Sequence, residues 1–371
     1  MNPYLPFSAH GLKCTACKKE YHQLQPFQYR CSCGSPFGII YASSTGAGRI
    51  TKGENILQKY SGLWQVPPDL AFLSLGEGNT PIHTFKFGKR MIHGKLEYLS
   101  PSGSYKDRGA ALMISLLKFA GVSEIIEDSS GNAGGSVAAY SAAAGISCSI
   151  YCPESASGGK LSFIQSCGAN LLRIAGHREN AAAEALKKAA ETVYASHVWN
   201  PWFTKGVRSI AYEIFEQRAE LPDEIIMPLG NGALFLGVFQ GLQDLLHHGY
   251  INKMPLLIGV QAESVSPLYH LWKGEKSPKQ GKTIAEGIAN AEPPRAAEIV
   301  EAVRNCQGEI ITISEKEIID AWKEGIRSGI LIEPTSAVVL AAELKMKAGS
   351  NRLHILTGSL LKTPGVLGLL S

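Results

Sequence analysis

From residue 124 to the C-terminus the chain alternates between two hydrophobic periods, and this alternation constrains the fold more than any other feature. Short apolar runs, rich in Ile, Leu and Val, read as strands over 124–127, 147–151, 171–174, 224–228, 256–261, 309–313 and 353–356. Between them lie patterns with helical spacing over 133–144, 158–167, 179–194, 207–217, 234–247, 315–327 and 336–347. Strands of four to six residues separated by helices of ten or more predict an α/β architecture built on parallel sheets flanked by helices. In such sheets ligands sit beyond the carboxyl ends of the strands. The loops at those ends are therefore where chemistry is expected.

Length and composition agree. The 371 residues suffice for roughly two domains, and with 45% hydrophobic and 18% charged residues a large core is available. The net charge of +4 is diffuse, with no basic run interleaved with aromatics, so a nucleic-acid partner is not expected. No apolar stretch reaches the roughly 18 residues of a membrane span. Residues 1–11 lack a charged and then apolar leader pattern, which together with the cysteine usage predicts a cytoplasmic protein.

Four of the eight cysteines crowd into the first 33 residues. Cys14-Thr15-Ala16-Cys17 and Cys31-Ser32-Cys33-Gly34 read as a zinc ribbon, in which two thiolate pairs close one tetrahedral site. The second pair has a single intervening residue, tighter than usual, and a metal-free ribbon that keeps only the fold is the alternative. A four-sulfur site would be structural, with no open position for chemistry. The expected organisation is a ribbon over 1–45, a small, Gly-rich linker over 42–52, and a main domain over 46–371 carrying a smaller lobe at roughly 115–200.

Within the main domain one lysine stands out. Lys106 lies in the turn Ser100-Pro101-Ser102-Gly103-Ser104-Tyr105-Lys106-Asp107-Arg108-Gly109, which runs into a helical pattern over 110–119. The helix dipole favours anions at that end, so an ammonium is misplaced there, and a neutral amine is what a Schiff-base nucleophile requires. Three further loops end strands. Gly230-Asn231-Gly232-Ala233-Leu234 can converge several backbone N–H groups on a phosphate at a helix N-terminus. It lacks a Walker lysine, so a single phosphate monoester is the simplest guest. Ser129-Ser130-Gly131-Asn132 suits a carboxylate, and Asn132 can donate to a phenolate oxygen. Leu356-Thr357-Gly358-Ser359 presents two hydroxyls, either of which can hydrogen-bond a neutral pyridine nitrogen. Singly, each loop also reads as an ordinary turn or helix cap.

A lysine, a phosphate cradle, a carboxylate cradle and a hydroxyl are together what a lysine-bound pyridoxal 5′-phosphate needs. The chain resembles the fold-type II pyridoxal-phosphate enzymes (the tryptophan synthase beta superfamily), and their threonine synthase-like branch most closely. The motifs are Ser74-Leu75-Gly76-Glu77-Gly78-Asn79-Thr80-Pro81, Gly103-Ser104-Tyr105-Lys106-Asp107-Arg108-Gly109, Ser129-Ser130-Gly131-Asn132-Ala133, Pro228-Leu229-Gly230-Asn231-Gly232, Gln261-Ala262-Glu263-Ser264, Glu333-Pro334-Thr335-Ser336-Ala337 and Thr357-Gly358-Ser359-Leu360-Leu361-Lys362.

The resemblance implies that Lys106 carries the cofactor and moves protons at the substrate's α and β carbons. It implies that Asn132 contacts the ring oxygen and that the backbone of Gly230, Asn231, Gly232, Ala233 and Leu234 holds the phosphate. Thr357, with Ser359 as rival, faces the pyridine nitrogen, while Thr80, Ser130 and Gly131 receive the amino-acid substrate. The implied reaction converts O-phosphohomoserine and water to threonine and phosphate, in a monomer or homodimer.

Three departures from the family pattern bear on substrate. Trp202 and Phe203 stand where a basic residue is usual after Asn200-Pro201; Ser359 and Leu360 replace a histidine and a glycine; Tyr105 replaces a phenylalanine. A substrate phosphate needs cations, for which Arg108, Lys160, Lys205 and Arg208 are the candidates. The rival expectations are a β-replacing or β-eliminating enzyme of the same fold, cysteate synthase-like or threonine dehydratase-like, and a catalytically silent homologue.

Overall fold

The computed structural model describes residues 11–25, 27–40, 48–67, 69–156, 158–349, 351–363, 365 and 368. Residues 1–10, most of the expected linker and Pro364 lie outside them. The chain forms two compact units, one from residues 1–78 and 106–207, the other from 79–105 and 208–371. The ribbon therefore shares its unit with the segment 106–207.

The first segment contains β1 (Gly11–Cys14), β2 (Glu20–Tyr21), β3 (Phe37–Ile40) and two single-turn helices, α1 (Ile56–Lys59) and α2 (Ser61–Trp64). The three strands form an antiparallel sheet in the order β2-β1-β3, with Leu12 opposite Tyr21 on one side and Ile39 on the other. The segment 79–105 supplies β4 (Ile82–Phe87) and β5 (Arg90–Lys95), which the sequence reading did not separate. They form an antiparallel hairpin in which Phe87 pairs with Arg90 and Gly88 takes φ +58°, a backbone region glycine enters freely.

The segment 106–207 runs α3 (Lys106–Phe119), β6 (Glu124–Glu127), α4 (Asn132–Ala144), β7 (Ser147–Pro153), α5 (Gly159–Ser166), β8 (Asn170–Ile174), α6 (Arg178–Lys188), β9 (Val193–Tyr194) and α7 (Pro201–Val207). The strands make a parallel sheet in the order β8-β7-β6-β9. Two expectations are corrected here. The helix read over 179–194 ends at Lys188, and Val193–Tyr194 instead pairs with Ile125 and Ile126 of β6. Two β-branched residues, Thr192 and Val193, favour that extended path, and both are buried. The helix read over 207–217 is α8 (Ser209–Gln217), and it is preceded by a helix the sequence reading lacked, α7, which Pro201 opens at the position where its missing N–H costs nothing.

The last segment contains α8 (Ser209–Gln217), β10 (Glu224–Pro228), α9 (Ala233–His247), β11 (Leu256–Ala262), α10 (Pro267–Lys273), α11 (Ala296–Asn305), β12 (Glu309–Ile313), α12 (Glu315–Arg327), α13 (Pro334–Lys345) and β13 (Arg352–Ile355). With the hairpin these strands form a six-stranded sheet, β12-β11-β10-β13-β5-β4, parallel except at β4. Its core includes Ile226, Ile258, Val260, Trp322, Val338 and Leu340, all essentially inaccessible. Each such side chain contributes about 2 kcal/mol by leaving water. The α/β class with parallel sheets flanked by helices is as the sequence predicts. Among the described residues no helix is long and apolar enough to cross a membrane.

Both larger sheets have a topological switch point. In the first unit the chain steps from β6 outward through β7 and β8, then returns to place β9 on the other side of β6. In the second it steps from β10 through β11 and β12, then returns to place β13 on the other side of β10. The loops after β6 and β10 therefore open where strand order reverses, the position at which open parallel sheets bind ligands.

Candidate functional site

In the first unit the ribbon gathers its four cysteines. The Sγ atoms of Cys14, Cys17, Cys31 and Cys33 all lie within 4.8 Å of one another. Cys14 and Cys33 are 3.4 Å apart, and Cys17 and Cys31 are 3.5 Å apart. Four sulfurs about 2.3 Å from a tetrahedral zinc would sit about 3.8 Å from each other, so the cluster has the size of a zinc site. The short gap in the second pair is absorbed by a turn in which Cys31 N donates to Ser35 O and Gly34 N to Cys31 O, with Gly34 at φ +90°. Burial pushes the Cys14 thiol up. Burial acts the same way on Cys31, but hydrogen bonds, first among them one from the Tyr21 hydroxyl at 3.1 Å, overcome it and bring that thiol down.

Lys106 is the first residue of α3, four residues ahead of the apolar pattern that announces the helix. Its Nζ lies 5.7 Å from the centroid of the Phe203 ring. Phe203 comes this close because position 109 has no side chain: a Cβ on Gly109 would meet Phe203 Cδ1 at 2.6 Å. A Cβ on Gly206 would meet Arg108 O at 2.2 Å, so α7 is set tightly onto the first turn of α3. Asp107, fully buried, accepts from Ser136 Oγ at 2.6 Å.

The loop after β6 passes through Asp128, Ser129, Ser130 and Gly131 into α4. Gly131 occupies the capping position and no side chain caps the helix, so neither Ser nor Asn plays the ordinary capping role there. Ser130, Gly131 and Asn132 are half-buried. The loop folds back so closely that a Cβ on Gly134 would sit 1.7 Å from Ser129 O. Beside it Glu127, at the end of β6, is bonded to His197 Nδ1 at 2.8 Å. Burial, reinforced by the Asp128 charge, holds the Glu127 carboxyl well above its usual range, while burial and then the Lys106 charge hold His197 well below its own. Both shifts favour the uncharged form of their group.

In the second unit the loop after β10 carries Gly230, Asn231 and Gly232 into Ala233 and Leu234, the first residues of α9. Gly232 sits at φ +86°, and no side chain caps the helix. A Cβ on Gly230 would meet Ile288 Cα at 2.9 Å, and one on Gly232 would meet Ile299 Cδ1 at 2.3 Å. Asn290 donates to the Asn231 side chain. Because Ile226 pairs with His354, the residues that follow β13 emerge at the same sheet edge as this loop.

Thr357 lies there. Its N–H donates to Ser336 Oγ at 2.8 Å and its carbonyl accepts from Tyr105 N, yet its buried hydroxyl has no partner among the described residues. The hydroxyl of Ser104, which bridges Gly358, is likewise buried without a partner among them. The Ser359 hydroxyl instead accepts from Leu361 N. Thr80 is buried, donating to Glu97 at 2.7 Å while its carbonyl accepts from Lys95 and Gln217.

The four candidate cations have distinct settings. Arg208 is bound to Asp244 and Gln240. Lys205 is buried with its Nζ 4.9 Å from the Trp202 ring, Arg108 is buried, and Lys160 is half-exposed near the start of α5. Sequence reasoning missed Ser104, Glu127, His197 and Asn290, and it marked Phe203 only as a departure from the family pattern. Ser104 and Glu127 lie inside or beside recognised motifs, but nothing local marks His197 or Asn290.

Residues 73–358 match the family model described as pyridoxal-phosphate dependent enzyme. The chain is 28% identical over 353 residues to the threonine synthase of Methanocaldococcus jannaschii, covering 90% of this chain and 87% of that one. It is 31% identical over 327 residues to the threonine synthase of a Bacillus species (strain ULM1), covering 84% and 91%. Among solved structures it resembles a threonine deaminase from T.th., with a TM-score of 0.65 and 23% identity over 76% of this chain and 92% of that one. It also resembles maize serine racemase, with a TM-score of 0.67 and 21% identity over 78% and 91%. With the matched segment spanning both switch-point loops, Lys106 and Thr357, the chain belongs to the pyridoxal-phosphate-dependent enzymes.

Proposed function

We propose that this chain is a lyase of the threonine synthase type, converting O-phosphohomoserine and water to threonine and phosphate by γ-elimination and β-hydration. The observation that carries the cofactor part is the second unit's switch point. An uncapped fifteen-residue helix opens there on a glycine-built turn, at the same sheet edge as a buried threonine hydroxyl with no partner among the described residues. A helix N-terminus favours a phosphate, and the free hydroxyl suits a neutral ring nitrogen.

Bound pyridoxal phosphate supplies an electron sink for negative charge developing beside the substrate's amino group. The N–H groups of Gly230 to Leu234 would hold its phosphate, Thr357 its ring nitrogen, and Asn132 its ring oxygen. Thr357 is preferred to Ser359 because the Ser359 hydroxyl is already used locally. Lys106 would hold the cofactor through its amine and would move protons at the substrate's α and β carbons. Ser130 and Gly131, at the uncapped start of α4, receive the substrate carboxylate. Thr80 contributes the acceptor lone pairs that remain while its hydroxyl donates to Glu97. The ribbon holds one structural zinc through Cys14, Cys17, Cys31 and Cys33.

The test is an assay of the purified protein with O-phosphohomoserine, following phosphate and threonine together. Equal release of both is expected. Lys106→Ala should abolish the cofactor's visible absorbance and the turnover while the unfolding transition persists. Metal analysis should find about one zinc per chain; a folded protein free of zinc would exclude the metal role.

A second reading, a β-replacing or β-eliminating enzyme, is favoured by the buried Trp202 and Phe203 and by the engagement of Arg208 with Asp244. Both leave fewer cations for a substrate phosphate. Turnover of threonine or phosphoserine with no phosphate from O-phosphohomoserine would decide for it.

A further inference from the structure

Glu127 ends β6 and His197 lies just beyond β9, so the two side chains meet across the first unit's switch point. We propose that Glu127, His197 and Phe203 form a positioning chain that sets the side chain of Lys106, an inference that rests on the proposed role of that lysine. The links are all within one unit. Glu127 Oε1 is 2.8 Å from His197 Nδ1, with the two side chains 0% and 6% exposed. The His197 ring meets the Phe203 ring edge-on, with centroids 5.9 Å apart at 70°. Phe203 fills the gap over Gly109, and the Lys106 amine lies over its ring.

A buried acid this near a catalytic lysine would ordinarily be its counterion, and an ion pair would draw the amine away from an aldehyde. Here the acid is bonded to a histidine whose ring packs on Phe203, so its influence on Lys106 passes through the position of Phe203. The charged groups acting on the pair are Asp128, Arg178 and Lys106 itself. Glu127 Oε2 has no partner among the described residues, so the pair is not a fully satisfied core network of the kind built for stability alone.

The experiment uses the cofactor-loaded protein and reads the induced circular dichroism of the cofactor's visible band together with kcat and KM. His197→Gln keeps a hydrogen-bonding partner for Glu127 but removes the ring. It is expected to reduce the dichroism and to lower kcat by about tenfold or more with KM little changed, since small misplacements of a reacting group cost rate. Phe203→Leu should act in the same direction. Glu127→Leu should lose signal as His197→Gln does, and Glu127→Gln, an uncharged isostere, should recover most of it.

A folded His197→Gln protein with unaltered dichroism and kcat would make the pair mere core and overturn the proposal. So would a Glu127→Gln protein as impaired as Glu127→Leu, because the carboxyl would then act through its proton. Wild-type protein with no visible band would instead sink the proposed function. The positioning chain would then be judged by labelling of Lys106 with an amine reagent: several-fold faster in folded His197→Gln supports it, and an unchanged rate overturns it.

Discussion

Two buried glutamates, one in each unit, are handled in opposite ways. Glu343, in α13, accepts from Arg90 at 2.8 Å, His354 at 3.2 Å and Arg352 at 3.4 Å. Burial alone would raise its pKa, but the bonds from His354 and Arg90 overcome it and bring the carboxyl down to about 2. Glu127 has His197 as its one side-chain partner among the described residues, and burial, reinforced by the Asp128 charge, holds its carboxyl well above the usual range. The first cluster ties α13 to β5 and β13 and satisfies its charges; the second leaves a polar group incomplete within reach of Lys106's charge. Buried charge that is fully paired serves the scaffold, whereas a sparsely bonded pair at a switch point serves the site.

The largest effect should come from breaking the paired cluster. Glu343→Ala removes the carboxylate shared by Arg90, His354 and Arg352, of which Arg352 keeps Glu224, and should cost about 3 kcal/mol in urea unfolding. A cost under about 1 kcal/mol would erase the contrast. Next is acid. Since the folded Glu343 lies near 2 and its ordinary value is 4.5, its contribution is complete above 4.5 and lost as pH falls from there through about 2. Glu343→Gln should flatten that limb of the stability curve.

The smallest effect belongs to Glu127. Its folded value is raised, so its contribution is complete below the ordinary 4.5 and declines as pH rises above it, when only the unfolded chain releases the proton. Glu127→Gln should therefore change stability by less than about 1 kcal/mol at pH 4 and make the protein relatively more stable at pH 8. Thermal unfolding at the two pH values measures this, and a loss that grows with pH would show that Glu127 is ionised in the folded state.

Much of the site was legible because its signals are local. Glycines and hydroxyls at strand–helix junctions mark the loops after β6, β10 and β13, and Lys106 precedes an unmistakable helical pattern. The choice of Thr357 over Ser359 was not legible, because it depends on which hydroxyl is consumed by a neighbouring N–H. The two-residue strand β9 was invisible, since its only warrant is pairing with β6. His197 carries no local signal, and Phe203 stood out only as a departure from the family pattern; the gap at Gly109 reveals what Phe203 touches.

By itself the sequence determined the α/β class, the thiol cluster and the strand-end loops, because periodicity, cysteine spacing and glycine punctuation are properties of neighbouring residues. Only the tertiary structure decided which strand reverses the order of each sheet and in which direction each buried acid is shifted. Those depend on partners distant in the chain, such as Arg90 for Glu343 and His197 for Glu127, and on the volume left where a side chain is absent.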